Sequence, residues 1–147
     1  MKVSIASDHA GYELKKEVAG LLKAMGHSVT DYGPASAEPV DYPDYAAKVA
    51  SSVSTGETEK GVLVCGTGLG MSMAANKFPK IRAALCFNEE MARLSREHND
   101  ANVLCLGSRT TPKEVALDIV KTFMKTEASK EERHRRRAMK IRTCCTC

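Results

Sequence analysis

The stretch Gly61-Val62-Leu63-Val64-Cys65-Gly66-Thr67-Gly68-Leu69-Gly70 decides the fold class. Val62 to Cys65 are apolar at odd and even positions alike, as in a strand buried on both faces. The next five residues hold three alternating glycines, so the chain turns tightly there before a short helix. A strand covered on both sides belongs to a parallel sheet between two layers of helices.

Working outward, the same alternation continues. Lys2 to Ser7 reads as a strand and Tyr12 to Met25 as an amphipathic helix, with Leu14, Val18, Leu21, Leu22 and Met25 on one face and Gly26 as its stop. His27 to Tyr32 reads as a second strand. A loop with Gly33-Pro34 and Asp41-Tyr42-Pro43 leads to a helix from about Asp44 to Ser54. Beyond the glycine turn come a strand at Ile81 to Cys86, a helix at Glu89 to Glu97 and a strand at Asn102 to Leu106. Thr111 as N-cap, Pro112 at the first helical position and Glu114 in a capping box predict a helix to about Lys125. A last helix runs from about Lys130 to Ile141. The expected architecture is α/β: a three-layer α/β/α domain with a five-stranded parallel sheet, Rossmann-like, plus a C-terminal basic helix. One domain spans 1–142, and a short Cys-rich tail occupies 143–147. The pattern leaves the strand order open.

Composition agrees with one globular domain. The 147 residues are 43% hydrophobic and 27% charged, close to ordinary usage. The N-terminal segment Met1 to Asp8 holds no apolar run long enough for a signal peptide or membrane span, so a cytoplasmic location is expected. There, cysteines are expected as free thiols. His9, His27, His98 and His134 form no zinc pattern with them, so no metal site is expected. The net charge of +4 is uneven: from Lys130 onward seven Lys/Arg against two Glu give +5, leaving −1 for the rest.

The glycine turn after Cys65 can aim backbone N–H groups into one concavity and favour an anion. It is not a dinucleotide fingerprint, which needs glycine where Met71 stands, and it lacks the Gly-Lys-Ser/Thr ending of a Walker loop. Met71 also excludes a C-x5-R phosphatase loop. The plain alternative is a packing turn. Cys65 enters that turn where a helix N-terminus stabilises a thiolate, whereas Cys86 and Cys105 read as small buried hydrophobes. Asp8, His9, Ser108 and Arg109 also follow strands, where ligands of such folds sit. His98 and Asn99 precede the fifth strand, and their relation to that end stays open.

His98 is either a proton carrier or a surface histidine, Asp8-His9 either functional or turn-forming, and Tyr42 either ligand-facing or loop packing. In the C-terminal helix Arg133 and Arg137 stand at i, i+4 and can grip one phosphate. A solvated basic face is the simpler reading of that run. A nucleic-acid partner is not expected, since a single helix is basic and aromatics make up 5% of residues. Cys144 lies four residues from the end, but the Cys-Thr pair after it is not aliphatic, so the prenylation match is taken as chance.

With these residues in hand, the chain resembles the type B ribose-5-phosphate isomerases and the related allose- and galactose-6-phosphate isomerases. The resemblance is carried by Ser7-Asp8-His9-Ala10-Gly11, Asp41-Tyr42-Pro43, Cys65 to Gly70, Ala75-Asn76-Lys77, Ser95 to Asn102 and Leu106-Gly107-Ser108-Arg109. It extends from Met1 to about Arg137. It implies an aldose–ketose isomerisation through a cis-enediolate without metal or organic cofactor. Cys65 would be the carbon base and Thr67 would carry protons between oxygens. His98 would open the sugar ring, with Asp8 assisting. Gly66, Gly68, Leu69 and Gly70 would offer backbone N–H groups to the enediolate. His9, Arg109, Arg133 and Arg137 would hold the phosphate, with Asn99 and Tyr42 at the sugar. It also implies a homodimer with shared sites, the basic helix reaching across. A pentose phosphate is the first expected substrate and a hexose 6-phosphate the second. A non-catalytic sugar-phosphate-binding protein is the third reading.

Overall fold

A computed structural model describes residues 1–143. Five parallel strands, β1 (Lys2–Ser7), β2 (Ser28–Asp31), β3 (Lys60–Cys65), β4 (Ala83–Leu85) and β5 (Val103–Gly107), form one sheet in the order β2-β1-β3-β5-β4. Helices α1 (Tyr12–Ala24), α2 (Tyr42–Thr55), α3 (Leu69–Ala75), α4 (Glu89–Asn99) and α5 (Lys113–Lys125) connect or follow the strands. The last helix, α6 (Glu132–Thr143), packs on α4.

The run that suggested a doubly covered strand behaves as such. Val62 and Val64 join Val3, Ile5, Leu104 and Leu106 under α1 and α5, with Val18, Ile119 and Phe123. Leu63 and Cys65 face the opposite layer with Ala6 and Cys105, against Val49 of α2 and Met71 of α3. Strand alternation thus sends two side-chain sets into two cores. The chain passes from β1 to β2 on one side and then crosses to β3 on the other. The β1 and β3 carboxyl ends therefore flank the switch point where open α/β sheets bind ligands.

Three boundaries differ from expectation. α2 starts at Tyr42 with Pro43 in its first turn, so Tyr42 is helical and not part of a loop. The capping box at Thr111 does not form: Pro112 takes the N-cap position with ψ 145°, there is no side-chain cap bond, and Thr111 is buried with its hydroxyl unpartnered. β4 is only three residues long, and side chains hold the backbone N–H groups where it begins. The Asn102 amide oxygen accepts from the Arg82 N–H at 2.8 Å, and the Asn76 oxygen from the Ala83 N–H at 2.8 Å. Asn76 also donates to the Ala83 carbonyl at 2.9 Å, standing in for a neighbouring strand at this sheet edge. The tail's cysteines, Cys144, Cys145 and Cys147, lie outside the described residues, and Thr143 ends α6.

At the other end of the sheet, Lys60 opens β3 with its ammonium buried. It donates to the carbonyls of Phe123 and Met124 at 3.3 Å each, where α5 leaves carbonyls unpaired. Burial, then the nearby Arg96, pulls its pKa down to about 8.

Candidate active site

Cys65 ends β3 and is 4% exposed. The N–H of Gly68 donates to its sulfur at 3.1 Å. Gly68 has φ +78°, a conformation L-residues rarely take, and that geometry turns its N–H back toward the sulfur. A donor aimed at sulfur stabilises negative charge there. Burial pushes the Cys86 thiol up to about 11 and raises Cys105 further, so both stay protonated. All three are free and buried.

The loop after β1 abuts this turn. The Asp8 N–H donates to the Val64 carbonyl at 3.1 Å, and its carboxylate accepts from the Gly11 N–H at 2.9 Å, which fixes the start of α1. His9 is exposed, and its Nδ1 accepts from the Val40 N–H at 3.4 Å, leaving Nε2 as the donor toward solvent. The loop after β5 closes the third side. Ser108 and Arg109 donate their N–H groups to the carbonyls of Cys65 and Gly66 at 2.8 and 2.9 Å. Ser108 Oγ donates to the Ala10 carbonyl at 2.8 Å, tying the loops after β1 and β5 together. The Arg109 guanidinium lies beside Gly66: a Cβ there would stand 3.5 Å from Nη1. Tyr42 forms a wall against Gly70, while Thr67 and Leu69 are exposed at the rim. Thr67 Oγ1 accepts from the Leu69 N–H at 3.3 Å.

The chain thus brings together Asp8, His9, Tyr42, Cys65, Gly66, Thr67, Gly68, Leu69, Gly70 and Arg109 at the carboxyl ends of the strands. His98 and Asn99 are not among them. They are the last residues of α4, which runs back from β4 to the amino end of β5, about 15 Å along the sheet from Cys65. Arg133 and Arg137 lie with them on α6. A helix that joins two parallel strands carries the chain back to the amino edge of the sheet, so the last residues of α4 fall there.

That second cluster is firmly held. Asp100 has φ +48° and accepts from Arg96 at 2.9 Å and Arg82 at 2.7 Å. Arg82 Nε also donates to the carbonyls of Asn99 and Asp100, and Arg96 Nε donates to the Thr126 carbonyl. Most polar residues of the Arg96 to Asn102 run therefore pin the end of α4, leaving the exposed His98 and Asn99 side chains presented outward. Sequence reading also passed over His134, which stacks on His98 with ring centroids 4.1 Å apart. The buried i, i+4 pair His134 and Ala138 was the available signal, hidden by the arginines around it.

Among the described residues no group of three or more His, Cys, Asp or Glu is placed to hold a metal ion, and no helix is long and apolar enough to cross a membrane.

A thiol under a glycine-rich anion cradle, set at the switch point of a five-stranded parallel sheet, is the frame of a family of sugar isomerases. The chain belongs to the Ribose/Galactose Isomerase family, whose profile matches residues 3–141. It is 47% identical to ribose-5-phosphate isomerase B of Escherichia coli over 123 residues, 84% of this chain and 83% of that one. The solved structure of Clostridium thermocellum ribose-5-phosphate isomerase B is 54% identical and superposes with a TM-score of 0.94 over 97% of this chain and 95% of that chain. The type B ribose 5-phosphate isomerase of Trypanosoma brucei is 49% identical, with a TM-score of 0.93 over 96% of both chains.

Proposed function

We propose that the chain interconverts ribose 5-phosphate and ribulose 5-phosphate through a cis-enediolate, with Cys65 as the carbon base. The observation that carries this reading is the Gly68 N–H on the Cys65 sulfur, at the mouth of a glycine turn able to hold an oxyanion. The Cys65 thiolate takes the proton from C2 of the aldose, breaking C2–H as the C1–C2 double bond forms. It returns that proton to C1 to give the ketose. Thr67 passes the hydroxyl proton from O2 to O1. A proton next to a carbonyl is weakly acidic, so the N–H groups of residues 66–70 matter most as charge builds on the oxygens, where one such donor is typically worth about 10²–10³ in rate.

The phosphate meets His9 and Arg109 of one protomer. His98, Asn99, Arg133 and Arg137 serve the site of a second copy, which reconciles their position at the far end of the sheet with roles in ring opening, sugar binding and phosphate binding. The working unit is then a homodimer with shared sites, acting in the cytoplasm on a small sugar phosphate without a cofactor. A hexose 6-phosphate is the alternative substrate.

The test is turnover of ribose 5-phosphate and allose 6-phosphate by the intact protein and by Cys65→Ala. Turnover of the pentose, lost in the variant while the sugar phosphate still binds, is the expected result. Preference for the hexose moves the assignment to the alternative, and binding without turnover of either sugar overturns the catalytic reading.

A further inference from the structure

We propose that His134 is a positioning residue for His98: its buried ring, parallel to that of His98, holds the ring-opening imidazole in one plane. This rests on the ring-opening role given to His98 above. The two rings lie 1° from parallel with centroids 4.1 Å apart. His98 is exposed at the tip of α4, where a side chain with nothing on its face would sample several rotamers. His134 is 7% exposed and cannot follow it. Its backbone N–H donates to the Glu131 carbonyl at 3.1 Å, and it shares the buried seam of α6 with Ala138. Both helices are themselves anchored: α4 by the Arg82–Asp100–Arg96 network, and the segment before α6 by the Ser129 N–H on the Glu97 carbonyl at 3.0 Å.

The stack also bears on the charge of His134. At this separation a charge on one ring disfavours a charge on the other, and His134, the less exposed ring, feels that repulsion. Burial first, then His98 and Arg133, lowers the proton affinity of His134. The Glu131 carboxylate, 3.9 Å from Nε2, opposes this without outweighing it. Around the pair, a cavity of about 310 Å³ is lined by Arg82, Glu97, Asp100, Lys130, Arg135 and Arg142. Glu97 is paired with Arg93, and Asp100 with two arginines, so neither is free to draw a proton onto His134. His134 is thus disfavoured as a cation and serves as a flat neutral surface for the exposed ring.

The chemistry offers a readout that plain packing would not move. Ribose 5-phosphate is a furanose that must open, with a proton reaching the ring oxygen as the C1–O4 bond breaks and one leaving O1. Ribulose 5-phosphate cannot close a five-membered ring because O5 carries the phosphate, so its enolisation starts from the open chain. Initial rates at saturating concentrations of each sugar would be measured for the intact protein, His134→Ala and His134→Phe. The equilibrium constant fixes the ratio of kcat/KM in the two directions and leaves only kcat free to change unequally. His134→Ala is expected to slow turnover from ribose 5-phosphate by about 10–100-fold, the scale of a misplaced catalytic group, and turnover from ribulose 5-phosphate by no more than about 3-fold. His134→Phe, which restores a flat neutral ring, is expected to bring the first rate back to within about 3-fold of the intact protein. Equal losses from both sugars, or no recovery with phenylalanine in a protein of unchanged thermal stability, overturn the role of His134 alone. An intact protein inactive on both sugars overturns the isomerase reading instead.

Discussion

The ring of Tyr42 lies on the backbone of Gly70, so closely that a Cβ at Gly70 would stand 2.5 Å from its Cζ. The first residue of α2 is thereby packed against the first turn of α3, and a phenol walls the glycine turn that follows Cys65. Gly70→Ala should cost about 1–3 kcal/mol of stability, because Tyr42 must leave. Adding Tyr42→Ala should recover at least half of that loss. Urea unfolding of the two single variants and the double variant measures the coupling, and additive losses would show that the two residues do not share the space.

The two-ended placement of the site residues makes a sharper forecast. Cys65→Ala and Arg137→Ala proteins should each be nearly inactive as isomerases. Co-expressed in equal amounts, they should recover about a quarter of the intact activity, since half of the randomly formed dimers carry one unimpaired site of two. Failure to complement, with mixed dimers demonstrated by mass, would place the arginine in the same protomer's site.

Thiol reactivity should follow burial and hydrogen bonding. Alkylation at pH 8, mapped by mass spectrometry, should modify Cys65 while Cys86, held up to about 11, and Cys105 remain intact in the folded protein. Saturating ribose 5-phosphate should protect Cys65. Modification of Cys105 at a comparable rate would contradict the packing of β5.

Lys60 should leave a mark on the pH dependence of stability. Below pH 8 both folded and unfolded states hold its proton, and the cost of burying the charge is fully present. Between about 8 and its ordinary 10.5 the folded state releases the proton first, so stability rises with pH. Relative to Lys60→Met, the gain should reach about 3 kcal/mol across that interval. Chemical denaturation at pH 7.5 and 10.5 checks the sign, and a difference that stays flat would mean that the ammonium reaches water.

Much of the fold was legible because its signals are local. Val62 to Cys65 show their two-faced burial in composition alone, and Gly68 marks a turn that demands positive φ. The thiol, its cradle and the Asp8 and Arg109 loops follow from strand ends. Strand order was not legible, since the β3–β5 pairing joins residues about forty apart and depends on which helices fill which face. The Thr111 capping box failed for a tertiary reason: Thr111 is buried, and α5 begins one residue beyond the proline. The partner of His98 was hidden because a basic run reads as solvated, while the seam of His134 and Ala138 inside it is buried.

The division of the site between the ends of the sheet has a consequence for how such a protein can change. Cys65, the proposed carbon base, and the glycine turn after it are built from strand ends locked into the core. The groups proposed to select and open the sugar ride on the tip of α4 and on α6, outside that core. A longer or shorter sugar can be met by shifting α6, with no atom of the base displaced. On the proposed assignment, selection and reaction are separable traits, free to drift independently while one reaction is kept.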